Sequence, residues 1–251
     1  MKTILITGCS SGFGLESAKY FLERGWKVIA TMRTPREDLF PVSDNLRMLA
    51  LDVTDADSIQ AAVKEAGPID VLVNNAGVGM LNALEGVSMD KVRELFETNT
   101  FGTIAMTQAV VPQMRERKSG VVVNVTSSVT LKSLPLLSLY TASKAAVNAF
   151  TESLFHELEP FNVRVNLLLP GRSPETSFAA NAQAMMQSIP EAYSEQAQRV
   201  FANFTQSNTP ITYAHDVAEA LWQVVNDPSS PLRVPAGADA IDWAREAAKA
   251  S

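Results

Sequence analysis

Short apolar runs alternate with longer stretches of helical periodicity along the 251 residues of this chain. The runs are rich in β-branched residues and predict strands at Ile4–Thr7, Lys27–Thr31, Leu46–Leu51, Val71–Asn74, Val121–Val125, Val163–Leu168 and Leu232–Val234. Helical spacing between them predicts helices at Leu15–Arg24, Ile59–Ala66, Thr103–Arg117, Ala142–Leu158, Ala214–Val225 and from about Asp239 onward. This alternation is typical of a parallel sheet covered by helices on both faces, a doubly wound α/β domain.

The texture of the sequence changes after Pro170 and Gly171. The segment Arg172–Thr209 lacks a strand pattern, and we interpret it as one or two mobile helices inserted before the next core helix. Its larger apolar residues form either a substrate lid or the ordinary packing face of an amphipathic helix. They are Phe178, Met185, Met186, Phe201 and Phe204. We therefore predict one domain over residues 1–251, with a lid insertion at about 172–209.

Composition narrows the class of protein. Hydrophobic residues make up 46% and charged residues 19%, which predicts a sizeable core and no extensive disorder. A net charge of -6 argues against nucleic acid and anionic membranes as partners, although one local basic pocket for a phosphate is compatible with it. The single cysteine, Cys9, excludes an internal disulfide. With no apolar run long enough for a signal peptide or a membrane helix, we expect a cytoplasmic protein.

A glycine-rich loop follows the first strand. The run Thr7–Gly14 reads TGCSSGFG and leads into a predicted helix. This arrangement points backbone N–H groups and the positive helix end at a phosphate. The spacing is G-x-x-x-G-x-G rather than G-x-G-x-x-G. A tight turn without a ligand is the alternative, but the position after an N-terminal strand favours dinucleotide binding. The predicted contacts are Gly8, Ser10, Ser11, Gly12, Phe13 and Gly14.

Further motifs follow the loop in order. They are the run Asn74–Gly77 (NNAG), Ser127, the pair Tyr140 and Lys144, and Pro170-Gly171. In this order and spacing the chain resembles the short-chain dehydrogenase/reductase family over nearly its whole length. The resemblance implies a Rossmann-type sheet of about seven mainly parallel strands. It also implies reversible hydride transfer between a nicotinamide cofactor and a carbonyl or alcohol carbon.

The end of the second strand bears on the choice of cofactor. NAD-selective proteins usually carry an acid there, which accepts from the ribose 2′-OH. Here Arg33 follows the strand instead, with Arg36 close behind. A guanidinium suits a 2′-phosphate, although a solvated surface arginine is the alternative. We therefore favour NADP(H) over NAD.

Tyr140 and Lys144 lie four residues apart on a predicted helix and so share a face. A free tyrosine has a pKa near 10, and a nearby ammonium is expected to lower it, so that the pair can exchange a proton with substrate. The bare spacing also fits an exposed aromatic–basic pair. Ser127 ends a buried strand, where ligands bind in parallel sheets, and its hydroxyl can bind the substrate oxygen. Ser128 is the alternative.

The resemblance assigns further roles. Lys144 would bind the nicotinamide ribose, and Asn99 would hold a water for proton relay to Lys144. Asp52, followed by Val53, would contact adenine. Asp52 could instead cap the helix that begins near Asp55, a role that Thr54 or Asp55 could also fill. The cofactor pocket would be completed by Asn75, Ala76, Gly77, Pro170 and Gly171, and by Thr176 or Ser173, between which the altered spacing after Gly171 leaves the choice open.

The substrate is predicted from the apolar residues that flank the site by family analogy. Leu134 and Phe178 are expected to contact it together with Ser127 and Tyr140, and Met80, Leu136 and Leu137 lie nearby. We expect a medium-sized hydrophobic ketone, aldehyde or alcohol, handled by a carbonyl reductase similar to the hydroxysteroid and retinol dehydrogenase branch. No metal is expected.

Family members are usually oligomers, so a homodimer or homotetramer is expected. The alternatives are an NAD-dependent alcohol or hydroxysteroid dehydrogenase, another reaction on this scaffold such as epimerisation or dehydration, and a non-catalytic nucleotide sensor.

Overall fold

The computed structural model of the protein describes residues 1–176, 187–205 and 209–250. Within them, seven strands form one sheet in which every neighbouring pair is parallel. The strands are β1 (Thr3–Thr7), β2 (Lys27–Met32), β3 (Leu46–Ala50), β4 (Val71–Asn74), β5 (Gly120–Val125), β6 (Val163–Pro170) and β7 (Arg233–Ala236). Their order is β3-β2-β1-β4-β5-β6-β7, which confirms the predicted doubly wound α/β fold.

Helices cover both faces of the sheet. They are α1 (Gly12–Glu23), α2 (Ala56–Ala66), α3 (Met89–Phe96), α4 (Gly102–Arg117), α5 (Ser138–Leu158), α6 (Ser194–Thr205), α7 (Ala214–Asn226) and α8 (Ala238–Ala250). Side chains of β1 alternate between two cores. Ile4 and Ile6 pack with α1 and α7 on one face, whereas Leu5 packs with α2, α4 and α5 on the other. Burial on both faces explains the continuous apolar runs of the central strands.

The structure departs from the predicted elements at several places. Helices α1, α2 and α5 each begin three or four residues before their predicted starts, and β7 extends to Ala236 rather than ending at Val234. β6 continues to Pro170, because it pairs with β7 as far as Ala236. Helix α3 was not predicted, because it has only eight residues, is half charged and buries only Leu95. A π-helical turn, Glu97–Phe101, joins α3 to α4 and contains Asn99.

The segment predicted as a lid is described in part. Helix α6 lies within it, as the prediction of one or two helices requires. Phe178, Met185 and Met186, and the side chain of Phe204, lie outside the described residues. The prediction that this segment is a lid stays a prediction.

Candidate functional site

A cavity of about 1610 Å³ lies at the carboxyl ends of the strands, where a parallel sheet presents its loops to ligands. Loops after each of the first six strands contribute to its wall, together with α3, α5, α6 and α8. Among the described residues, every predicted contact residue lines this cavity except Gly14 and Asn99, which lie behind the wall. Leu136, expected near the substrate, does not line it and packs instead with Ala83, Ala197 and Val200. Phe178 is outside the described residues.

The glycine-rich loop has the backbone shape that its sequence predicts. Gly8 and Gly12 have positive φ angles of 75° and 57°, which favour glycine. A Cβ on Gly14 would lie 2.5 Å from Nδ2 of Asn75, so this position has no room for a side chain. Asn75 in turn donates from Nδ2 to the carbonyl oxygen of Thr7 at 2.9 Å. The loop is thereby fixed against the end of β4.

The N-terminus of α1 faces the cavity, and no carboxylate in its first turn offsets its positive end. Ser11 is the N-cap residue, but its side chain makes no capping hydrogen bond, and the first turn holds no acidic residue. The first N–H groups of a helix and its positive end therefore stay available for a ligand. These features, with the close backbone turn of the glycines, fit the pyrophosphate of a dinucleotide.

Thr176 packs against this loop. A Cβ on Gly12 would lie 3.3 Å from Cβ of Thr176, and the Thr176 hydroxyl donates to the carbonyl oxygen of Ser173 at 3.0 Å. Ser173 also lines the cavity, and its hydroxyl oxygen is buried without a hydrogen-bond partner among the described residues. Of the two candidates left open by the sequence, Thr176 is the one that packs against the glycine-rich loop.

Polar groups at the ends of β2 and β3 line the opposite end of the cavity. Arg33 is exposed there, and its charge helps to lower the pKa of Asp52. The larger cause is Thr54, whose backbone N–H and hydroxyl both donate to Oδ1 of Asp52, at 2.9 and 2.7 Å. Asp55 is the residue that caps α2, so the capping alternative for Asp52 is wrong. Arg36 is held by Asp38 in a bidentate ion pair.

Tyr140 and Lys144 lie one turn apart on α5, buried to 6% and 5% exposure. The Tyr140 hydroxyl forms a hydrogen bond with the side chain of Ser127. Nζ of Lys144 donates to the carbonyl oxygen of Val125 at 3.0 Å. The end of β5 therefore contacts both members of the predicted catalytic pair. Ser127 and Ser128 both line the cavity, and Ser127 is the one that forms a hydrogen bond with Tyr140.

Burial determines the pKa values of the pair. It raises the pKa of Tyr140 well above its usual range, and the hydrogen bond with Ser127 offsets only part of this effect. Burial also lowers the pKa of Lys144 to about 8. The expectation that the pKa of Tyr140 is lowered is therefore wrong for this structure, because desolvation of the phenolate raises it and the hydrogen bond with Ser127 is the cause that opposes the rise.

Asn99, behind the cavity wall, links the segment after β4 to helix α5 by hydrogen bonds. Its Oδ1 accepts from the backbone N–H of Val78 at 2.8 Å, and its Nδ2 donates to the carbonyl oxygen of Val78 at 2.9 Å and to Oγ of Ser143 at 3.1 Å. Ser143 donates onward to the carbonyl oxygen of Tyr140 at 2.7 Å. The structure thus connects Asn99 to helix α5, which carries Tyr140 and Lys144, and the water relay stays a prediction.

Gly77 lies between Asn99 and Lys144. A Cβ on Gly77 would be 3.1 Å from Oδ1 of Asn99 and 3.3 Å from Nζ of Lys144. A larger residue would therefore crowd both side chains. Ala76, before it, is fixed by its backbone N–H, which donates to Oγ1 of Thr7 at 2.9 Å.

Among the residues at the cavity that sequence reasoning missed, two form a polar contact at its wall. Asp239, in the first turn of α8, lines the cavity, and Thr212, before α7, is fully buried beside it. An acid in the first turn of a predicted helix is a signal for a stabilised helix N-terminus. That signal gave no indication of contact with Arg172, which is 67 residues away in sequence.

Two features are absent from the part of the chain that the structure describes. No helix there is long and apolar enough to cross a membrane. In the same residues, no three side chains of the histidine, cysteine, aspartate or glutamate types come together as metal ligands.

Comparison with known proteins identifies the family. Residues 2–187 match the short chain dehydrogenase family. This chain belongs to that family. The short-chain dehydrogenase is 37% identical to an uncharacterized oxidoreductase of Bacillus subtilis (strain 168) over 251 residues, covering 94% of this chain and 89% of that protein. It is 34% identical to a 3-ketodihydrosphingosine reductase of Bacteroides thetaiotaomicron over 239 residues, covering 93% of this chain and 87% of that protein.

Solved structures of similar proteins have the same fold and support the same family. A short-chain dehydrogenase from Streptomyces avermitilis superimposes with a TM-score of 0.84 at 31% identity, covering 99% of this chain and 92% of that one. A serine dehydrogenase solved with NADP+ has a TM-score of 0.80 at 28% identity and covers 93% of both chains. A family member from Burkholderia phymatum solved with NAD has a TM-score of 0.80 at 26% identity, covering 92% of this chain and 88% of that one. The protein is thus an oxidoreductase of this family.

Proposed function

We propose that the protein is an NADP(H)-dependent carbonyl reductase that interconverts a hydrophobic ketone or aldehyde and its alcohol. The observation that carries this proposal is the buried pair of hydrogen-bonded hydroxyls, Tyr140 and Ser127, with the Lys144 ammonium one helical turn away. The pair lines the same cavity as the glycine-rich loop, so a cofactor and a substrate would meet there.

A nicotinamide cofactor would supply the hydride in reduction and accept it in oxidation. Its pyrophosphate would be held by the loop Gly8–Gly14 and Thr176, and its adenine end by Asp52 and Val53. Arg33 would bind a 2′-phosphate, which favours NADP(H). Relatives solved with NADP+ and with NAD support a nicotinamide cofactor of either kind.

Tyr140 would act as the general acid in the reducing direction. Because burial raises its pKa, the phenol stays protonated at neutral pH and can donate to a carbonyl oxygen as that oxygen becomes negative. Ser127 would hold the same oxygen by a second hydrogen bond. The ammonium of Lys144 would favour the phenolate that remains after proton transfer. In oxidation the same atoms would exchange the proton in reverse.

Apolar side chains support a hydrophobic substrate. The cavity wall near Tyr140 contains Met80, Leu81, Leu134 and Leu137, and α6 contributes Val200. These residues offer no charge to bind, so an apolar body next to the reacting carbonyl fits them best. The contribution of α6 also supports the proposal that part of the segment 172–209 covers the substrate. A contact from Phe178 stays a prediction.

The decisive experiment is reduction of a panel of ketones and aldehydes followed by NADPH absorbance. We expect Tyr140→Phe to lower kcat by about 10²- to 10⁴-fold, since it removes the proton donor, while NADPH still binds. Tyr213→Phe is the matched control, because Tyr213 is 52% exposed. This variant should keep the wild-type kcat. Wild-type turnover by Tyr140→Phe would overturn the proposed role of this residue.

A further inference from the structure

A buried polar cluster joins the end of β6 to the C-terminal helix. The carboxylate of Asp239 accepts from the backbone N–H of Arg172 at 2.7 Å and from the hydroxyl of Thr212 at 2.6 Å. The same hydroxyl oxygen accepts from the backbone N–H of Gly171 at 3.1 Å. The carboxylate therefore holds both N–H groups of the turn, one directly and one through Thr212.

Two glycines allow the side chains of this cluster to pack directly against the backbone. A Cβ on Gly171 would overlap the Asp239 carboxylate, and a Cβ on Gly237, whose φ is +96°, would overlap the side chain of Thr212. The backbone N–H of Thr212 also donates to the carbonyl oxygen of Arg172 at 2.8 Å. Two glycines thus bring three separate chain segments close enough for direct hydrogen bonding.

Hydrogen-bond donors and the N-terminus of α8 surround the buried carboxylate of Asp239. Asp239 is only 6% exposed, and a buried carboxylate is costly unless donors satisfy it. It lies in the first turn of α8, where the helix dipole favours a negative charge, and it meets the two donors described above. A neutral amide in its place could accept only through its oxygen and would turn an NH₂ group toward one of these donors.

The turn that this cluster holds lies at the reactive end of the cavity. Pro170, Gly171 and Arg172 line the cavity wall after β6, next to β5, which carries Ser127. The backbone N–H of Thr126 donates to the carbonyl oxygen of Leu168 at 2.8 Å, so the two strand ends are in contact. The end of β2 lies three strands away from β5 in the sheet.

We propose that Asp239 and Thr212 are positioning residues that fix the turn Pro170–Arg172 against the nicotinamide half of the cofactor. This inference rests on the proposed function. It makes the C-terminal helix part of the cofactor site. Loss of either residue is expected to loosen the wall beside the nicotinamide and to leave the phosphate loop and the adenine end intact.

The test compares a whole cofactor with its adenosine end. Dissociation constants are measured by calorimetry for whichever reduced cofactor the wild-type protein binds more tightly, and for the fragment that lacks nicotinamide (2′,5′-ADP for NADPH, ADP for NADH). Asp239→Asn and Thr212→Val should each weaken binding of the whole cofactor roughly tenfold, and binding of the fragment less than twofold. Thr212→Ser keeps the hydroxyl and should restore cofactor binding to near the wild-type level.

A matched control separates this effect from general destabilisation. Asp216→Asn removes another carboxylate from a helix N-terminus, one that is half-buried and outside the cavity, and should change neither constant. Equal weakening of cofactor and fragment in Asp239→Asn and Thr212→Val, or no weakening, would overturn the positioning role alone. A wild-type protein that binds neither cofactor would overturn the proposed function and this inference together.

Discussion

Replacing Lys144 by methionine should make the protein more stable while it disables the proposed catalysis. Lys144 is 5% exposed, and burial lowers its pKa from the ordinary lysine value of 10.5 to about 8. Below about pH 8 the ammonium is charged in both the folded and the unfolded chain, so folding must desolvate it. Methionine fills a similar apolar volume without that cost.

The size of the effect follows from the pKa. Each pH unit by which the pKa is lowered corresponds to about 1.36 kcal/mol, so the cost at pH 7 is on the order of 3 kcal/mol. The carbonyl oxygen of Val125 loses the ammonium as a donor, which costs about 1 kcal/mol. We therefore expect Lys144→Met to raise the free energy of unfolding at pH 7 by about 2 kcal/mol. The melting temperature should rise by roughly 4–8 °C.

The pH dependence identifies the cause. The folded-state pKa lies below the unfolded one, so the wild-type protein gains stability as pH rises from about 8 toward 10.5, and the advantage of Lys144→Met should disappear by about pH 10. Above pH 10 the raised pKa of Tyr140 acts in the opposite direction, since its stabilisation is lost as pH rises. The informative window is therefore pH 7–10.

Urea denaturation of both proteins at pH 7, 8, 9 and 10 measures this difference. Lys64→Met, on the exposed face of α2, is the control, and its stability should stay within about 0.5 kcal/mol of wild type at every pH. The reasoning is refuted if Lys144→Met is less stable than wild type at pH 7, or if the difference does not change between pH 8 and 10.

Two further predictions concern residues of the proposed cofactor site, one for cofactor binding and one for stability. Arg33→Ala should weaken NADPH binding by about 10- to 100-fold and leave NADH binding unchanged, whereas Arg36→Ala, whose guanidinium is held by Asp38, should alter neither; equal loss for both cofactors would remove the role of Arg33. Gly14→Ala would place a Cβ 2.5 Å from Nδ2 of Asn75, so a scan of thermal unfolding should show a melting temperature about 4–8 °C lower. An unchanged melting temperature would mean that the loop accommodates the methyl group.

The sequence predicted the fold and the assembly of the cavity wall because both depend on periodic patterns. Apolar runs of four to eight residues define the strands. Once the sheet is parallel, motifs that follow different strands meet at one edge. This is why Gly8, Gly77, Ser127 and Gly171 could be placed together although they are distant in sequence.

Other features depend on tertiary packing that no local pattern encodes. The raised pKa of Tyr140 follows from burial, which its spacing from Lys144 does not show. The proximity of Thr176 to Gly12 depends on how the chain returns after β6. Thr212 lies in an irregular stretch, where no periodicity indicates that it reaches Asp239.

The π-helical turn Glu97–Phe101 has a consequence for how this chain can diverge. The N–H of Gly102 donates to the carbonyl oxygen of Glu97, five residues back, so the turn holds one residue more than an α-helical path would. Each residue turns a helix by about 100°. Deleting one residue here would rotate α3 against α4. The hydrogen bond of Asn99 with Val78 and that of Thr107 with Asn74 could then not both be kept. Homologues should therefore tolerate substitutions along this stretch but conserve its length.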